Sequence, residues 1–408
     1  MSGPLDDVRV VEIANWVAGP SATALMADMG ASVIKVEPPS GDSMRNKLRQ
    51  PRFPEGVKGT DMVFQMDNRG KRSIAIDLGE EAGRALVREL VDRADVLVTN
   101  LTRSRLERYG LGPDELHRRN PGLVYALVTG QGSSGEDADD LAFDVTAFFA
   151  RGGVTGLLGE PDGLPVLPRP GAGDHPTALA LLVAILGALR VRDNTGQGQL
   201  VETALMRVGA WTVGCDMATA LVDGRQPTKR SRAHPVSPMN TTYRCADGAW
   251  LVLSAHSQTT WPRFCEALGR PELVADPRFD TPANRFANAK ELIAIFDELF
   301  GSAPFDHWVP ILKTTNVIWA KMAELPDVIA DPQARRMGMF VELEHPDVGR
   351  FETLAAPFSF ERSEVAARGR APEVGEHTAE VLAELGYDEA SVAALFASGV
   401  VRRPEVSH

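Results

Sequence analysis

Residues 167–192 read LPRPGAGDHPTALALLVAILGALRVR and set one carboxylate, Asp174, between a glycine-bearing loop and a long apolar run. Gly171 and Gly173 remove side chains where a bulky ligand would need to approach the backbone. Asp174 stands at the predicted N-cap of a helix, with Pro176 in the first turn. A helix N-terminus favours negative charge, so the spacing predicts an ionised carboxylate aimed out of the protein. Such a group can attack an electrophilic carbonyl, and glycine-flanked N–H groups beside it could hold the resulting oxyanion. Asp is also a preferred capping residue, so the plain structural role stands beside the chemical one. His175 follows directly, where it either orients a substrate or lies exposed.

The elements that must position Asp174 are legible upstream. Val8–Ala14 is β-branched and apolar and predicts a buried strand. A helical pattern over Ala22–Met29 ends at Gly30, and Ala31–Glu37 is a second strand. This β-α-β unit implies a parallel sheet with a right-handed crossover. Ser73–Asp77, Val96–Val98 and Leu123–Val128 are further strands, separated by helical patterns at Glu80–Arg93 and Arg103–Leu116. The alternation means an α/β fold. After the helix Thr177–Arg192 come a short strand Leu200–Thr203 and a helix Arg207–Leu221.

Composition changes at Arg225–Pro238, which is basic and proline-containing and reads as a linker. Tyr243–Ser254 predicts a hairpin turning at Ala246-Asp247-Gly248. Helices follow near Trp261–Leu268 and Asn288–Phe300. Strands at Met339–Leu343 and Glu352–Leu354 and a helix at His377–Leu385 complete the pattern. The expected organisation is a large domain over residues 1–224, a linker and smaller α/β domain over 225–320, and a return to the large domain over 321–408.

Bulk properties narrow the function. The 408 residues are 44 % hydrophobic, ample for a large core, and the formal net charge is −12. That balance argues against a nucleic-acid surface, and an anionic ligand would need a local basic cluster. Cys215, Cys245 and Cys265 are too few and too scattered for a disulfide framework or a metal site, which fits a reducing cytoplasm. No basic segment precedes an apolar one at the N-terminus, so no signal peptide is expected. The apolar run within Ala178–Leu189 is too short to span a bilayer and reads as a buried helix, so no membrane role is expected. The loop after the first strand reads N-W-V-A-G-P-S rather than G-x-G-x-x-G, and Pro20 removes an N–H that a pyrophosphate would want. Nicotinamide binding is disfavoured on that ground. No G-x-S-x-G occurs, so a hydrolase triad is not indicated either.

With these residues laid out, the chain resembles the class III CoA-transferases, a family that includes formyl-CoA transferase and carnitine CoA-transferase, with α-methylacyl-CoA racemase as a relative. The matching segments are residues 5–42, 68–78 (NRGKRSIAIDL), 94–112 (ADVLVTNLTRSRLERYGLG), 171–206, 356–363 (APFSFERS) and 375–386. Their order and spacing agree over nearly the whole chain. The resemblance implies a large doubly wound, Rossmann-like domain plus a smaller α/β domain, in a homodimer whose ring-like subunits interlock. It implies CoA or acyl-CoA as substrate, a carboxylic-acid acceptor, and no permanently bound cofactor or metal.

Asp174 matches the family's nucleophilic aspartate, which implies an aspartyl anhydride followed by an aspartyl-CoA thioester. Lys71 and Arg72 match a nucleotide-contacting segment, and Arg108 a CoA-binding position. Asn100 and Leu101 fall where the family contacts pantetheine and adenine. Trp16 and Val17 match the segment beside the thioester. The stretches Pro39–Thr60 and Gly130–Asp140 are expected to shape the acyl pocket.

Two departures refine the reading. The racemase relatives carry G-H-D where this chain has Leu141-Ala142-Phe143-Asp144, and Phe143 cannot carry a proton. Racemisation, and a non-catalytic CoA-binding subunit, are therefore the secondary readings. No glycine-rich run lies between Arg225 and Tyr243, unlike formyl-CoA transferases. Trp16 and Val17 replace smaller or amide side chains, which points to an acid larger or less polar than oxalate.

Overall fold

The structure, a computed structural model, describes residues 2–45, 60–232, 237–254 and 257–403. Part of the 39–60 stretch (46–59) and part of the linker (233–236) lie outside the described residues. The chain divides into two compact units. The larger comprises Met1–Val154, Leu167–Val222 and Arg335–His408; the smaller comprises Thr155–Val166 and Asp223–Ala334. The smaller unit thus takes Thr155–Val166 from within the segment read as large domain, and it runs past residue 320.

The larger unit is built on a mostly parallel sheet. Its strands are β1 (Arg9–Ile13), β2 (Ser32–Glu37), β3 (Arg72–Ile76), β4 (Val96–Thr99), β5 (Val124–Thr129) and β6 (Leu200–Ala204). They lie in the order β3-β2-β1-β4-β5-β6, all parallel, and the short strand Val401–Arg402 adds antiparallel to β3. Alternation along the strands sends successive side chains to opposite faces. Val10, Val33, Val98 and Val128 pack on one face against α1 (Ala18–Asp28) and a helix at Asp174–Thr195. Val11, Ile74, Leu97 and Tyr125 pack on the other, against Leu86 and Leu90 of the helix Glu81–Asp92 and Val381 and Leu382 near the C-terminus.

The strand order reverses between β1 and β4 while the strands stay parallel, so the two loops leaving their carboxyl ends diverge and open a crevice. Residues 14–17 follow β1 and residues 100–101 follow β4. A further helix, α2 (Met62–Asn68), packs on α1 and is capped by Asp61, whose carboxylate accepts from the Val63 and Phe64 N–H groups.

Two helical patterns are each interrupted part-way along. Arg103–Leu116 forms two helices, Arg103–Tyr109 and Pro113–Arg119, because Gly110 takes a left-handed conformation (φ +64°) that ends the first. The Arg207–Leu221 pattern likewise splits into Leu205–Thr212 and Gly214–Asp223.

The helix after Asp174, here α3 (Asp174–Thr195), is 22 residues long, well beyond its apolar run. By length and composition alone it could cross a membrane, which corrects the sequence argument from shortness. Its Leu181, Leu182, Ile185 and Leu189 face are instead buried in the core with α1.

The smaller unit has a three-stranded antiparallel sheet, Asn240–Arg244, Trp250–Ser254 and Ile318–Lys321. The hairpin turns at Gly248 (φ +86°), with the Cys245 N–H donating to the Ala249 carbonyl. Trp261, Phe264, Phe296 and Phe300 fill its own core.

Candidate active site

Asp174 is set in place by a residue 30 positions upstream. Asp144 is buried and caps the π-helical turns Val145–Arg151, accepting from the Val145 N–H at 2.8 Å. Its second oxygen accepts from the Gly171 N–H at 2.8 Å and the Gly173 N–H at 2.9 Å. One carboxylate thereby fixes the loop that leads into α3.

This arrangement corrects three expectations. Gly173 is the N-cap and Asp174 the first residue of α3, with no capping bond from the Asp174 side chain. The glycine amides are committed to Asp144, so they are not open oxyanion donors. Gly173 is bare because the Phe148 ring fills the space beside it; a Cβ there would lie 2.6 Å from the ring's Cγ. Gly171 is needed for a different reason, a left-handed φ of +92°.

Asp174 is only partly open to solvent. Burial raises its pKa to about 7, with repulsion from Asp144 and Asp67 adding to the shift and the attraction of His175 opposing it. The helix N-terminus therefore does not hold this group firmly ionised, as the sequence reading expected. Near neutrality the carboxyl and carboxylate forms coexist.

His175 is half-buried, and its Nε2 lies 3.2 Å from Asp67 Oδ1. Burial works against its protonation, but Asp67, Asp174 and a hydrogen bond to the Gly171 backbone outweigh it and raise its pKa. Asp67 sits on α2, fully buried, and its Oδ1 also accepts from Ser21 Oγ of α1 at 3.1 Å. Among the described residues its Oδ2 has no hydrogen-bond partner.

The crevice between β1 and β4 holds several of the other predicted residues. Asn100 clasps Asn15 twice: its Oδ1 accepts from the Asn15 N–H at 3.1 Å and its Nδ2 donates to the Asn15 carbonyl at 2.7 Å. Trp16 follows, with φ +70°, the one positive φ among described residues that are not glycine. A bulky residue there is strained, and Asp42 holds it by accepting from the Trp16 N–H at 3.1 Å. The indole packs edge-on against the Phe143 ring, 5.0 Å between centroids, next to Asp144. Val17 and Leu101 are buried in core contacts. Arg108 is exposed, stacks on Tyr109 and has no carboxylate partner among the described residues.

Lys71 and Arg72 are not brought to this crevice. Lys71 is buried, with its Nζ 2.7 Å from Glu12 Oε2 and donating to the Pro20 and Asp67 carbonyls and Asn68 Oδ1. All its donors are committed inside the protein. Arg72, the next residue along, projects to the other face and bonds Glu380 at 2.8 Å and Glu384 at 2.5 Å, reaching toward Ser32 at the start of β2. Its charge lies toward the amino end of the sheet and is matched by two carboxylates. Both side chains of the predicted nucleotide-contacting segment are thus engaged with carboxylates of the chain itself.

Comparison with known proteins decides the chemistry. The CoA-transferase family III model matches residues 5–378. The chain belongs to that family. It is 31 % identical to (R)-2-hydroxy-4-methylpentanoate CoA-transferase of Clostridioides difficile, over 98 % of this chain and 99 % of that one. It is 34 % identical to succinyl-CoA:mesaconate CoA-transferase of Haloarcula marismortui, over 95 % and 97 %. A CAIB/BAIF family protein from Brucella suis superposes with a TM-score of 0.84 at 33 % identity, covering 94 % of this chain and all of that one. This family III protein is an enzyme, and its chemistry is CoA transfer.

Sequence reasoning gave no role to Asp144, Asp67 or Asp42. Asp144 and Asp67 lie 29 and 108 residues from the partners they hold, so no local spacing links them. The one available signal was the type: an Asp inside an otherwise apolar stretch, as at 141–149, needs a buried partner.

Proposed function

We propose that Asp174 is the nucleophile of a CoA-transferase that passes through an aspartyl anhydride and an aspartyl-CoA thioester. The observation that carries the reading is a partly desolvated carboxylate at the head of α3, on a loop fixed by Asp144. Asp174 Oδ attacks the thioester carbonyl of the donor; the C–S bond breaks and CoA thiolate leaves. The thiolate then attacks the aspartyl carbonyl of the anhydride, releasing the donor acid and forming aspartyl-CoA. The acceptor carboxylate attacks that thioester and frees the thiolate again. The thiolate finally takes the acceptor acyl group, and Asp174 returns as carboxylate. Water must be excluded throughout, because both intermediates hydrolyse.

Trp16, Val17, Asn100 and Leu101 belong to the crevice segment that supports the pantetheine, and Arg108 is the exposed cation available to a phosphate. Relatives that act on a 2-hydroxy-4-methylpentanoate and on mesaconate, and the Trp16–Phe143 wall, support an acid larger and less polar than oxalate. The same reading takes the subunit as half of an interlocked homodimer. The exposure of Trp211 (85 %), Leu221 and Val222 supports a covering partner. Three unpaired cysteines support action in a reducing cytoplasm.

The test is intact-protein mass spectrometry after incubation with a panel of acyl-CoAs, with hydroxylamine trapping. An adduct at Asp174 that is absent in Asp174→Ala supports the route. Its absence with every donor, alongside exchange of the C2 hydrogen, would replace the route with racemase-type chemistry.

A further inference from the structure

The head of α3 gathers more negative charge than its surroundings neutralise. Asp174 faces Asp144 from the turn at Val145–Arg151 and Asp67 from α2. The charged groups beyond them are already matched: Lys71 bonds the Asp67 backbone carbonyl at 2.8 Å, but its ammonium is paired with Glu12. Among the described residues, His175 is the cation that faces Asp174 itself, while Lys71 feels the cluster only through Asp67. Asp67 fixes the ring at 3.2 Å and is itself fixed by Ser21, so three helices converge on one imidazole. The buried Asp67 Oδ2, without a hydrogen-bond partner, marks a site where compensation is incomplete.

We infer that His175, clamped by Asp67, is a positioning residue for CoA transfer, supplying as an imidazolium the positive charge that keeps the Asp174 carboxylate available for attack. This rests on Asp174 as nucleophile. The dyad resembles a carboxylate–histidine pair in form but differs in use: the ring takes no proton from the nucleophile. It tilts the ionisation of its neighbour. The sign follows from the charges. Loss of His175 removes an attraction for the carboxylate, so Asp174 ionises at higher pH and the acid limb of the reaction moves up.

The experiment measures the rate of trapped aspartyl adduct formation against pH in the full-length enzyme, with one acyl-CoA that labels the wild type. For His175→Gln the acid limb is expected to move up by about half to one pH unit, which reads as roughly a three- to tenfold slower reaction at pH 6 and little change at pH 8.5. His175→Lys, which retains a charge, is expected to return the limb toward wild type. Circular dichroism and thermal melts establish that both variants are folded. A His175→Gln profile that overlays the wild type, or lies below it by the same factor at every pH, overturns the inference and leaves the aspartyl route intact. Failure of the wild type itself to form an adduct overturns both.

Discussion

Two buried charge clusters meet at Asp67 and obey opposite rules. The first runs from Glu12 through Lys35 to Asp42, with Lys71, Glu37 and Arg45 joined to it. Three carboxylates face three cations, and nearly every polar atom is bonded. Burial opposes ionisation of Glu12, yet Lys35 and Lys71 outweigh it and hold its carboxyl down at about 2. In the second cluster Asp174 faces Asp144 and Asp67 with His175 as its opposing cation, and it is pushed up to about 7. A balanced network of this kind holds backbone in place: Asp42 reaches from it to pin the strained Trp16. An unbalanced one holds a reactive group away from its ordinary ionisation, which is where perturbed carboxylates serve catalysis.

Breaking the balanced side should cost the most stability. Lys71→Met leaves Glu12 with one cation in a dry site, a change worth about 3–5 kcal/mol. The melting temperature is expected to fall by roughly 6 °C or more in a thermal scan. A raised KM for acyl-CoA with an unchanged melting temperature would instead restore Lys71 as a ligand contact.

Asp144→Asn strikes the other side. It weakens the clamp on Gly171 and Gly173 and removes a repulsion from Asp174. The plateau of kcat/KM is expected to drop about ten- to a hundredfold, while the acid limb moves down, opposite to His175→Gln. A limb that stays in place would separate Asp144's mechanical role from its charge.

Arg108→Ala tests a cation that belongs to neither cluster. The KM for acyl-CoA is expected to rise about three- to tenfold, with kcat and melting temperature unchanged. An unchanged KM would remove Arg108 from the phosphate site.

The pH dependence of stability also separates the clusters. Glu12 has a lowered folded pKa, so its contribution is present above about 4.5 and is lost as pH falls toward about 2. Asp174 has a raised one, so its ionisation destabilises the fold increasingly as pH rises from about 4 to about 7. Asp174→Asn is therefore expected to raise the melting temperature at pH 8 by a few degrees, on the order of 1–2 kcal/mol after allowance for solvent screening, while activity is lost.

Much of this was legible in the chain itself. The alternation of β-branched runs with 3.6-residue patterns determined the parallel α/β core, since each element must bury one face and connections are short. Phe143 in place of the racemase relatives' histidine came from the resemblance rather than from any spacing in the chain. Asp174 stood out by type and by the glycine loop before it, although the reason for Gly173 was the Phe148 ring rather than a ligand. Boundaries failed where a glycine stopped a helix whose apolar spacing ran on, as at Gly110.

Tertiary structure alone decided which charges are free. Lys71 and Arg72 are neighbours of the same sign in one motif, yet one points into a buried network and the other to the opposite face, because side chains alternate along an extended chain. Asp144 and Asp67 became partners of the α3 loop only when elements far apart in sequence were packed together. A carboxylate's ionisation depends on the desolvation and charges within a few ångströms, and those neighbours are supplied by the fold rather than by adjacency in the chain.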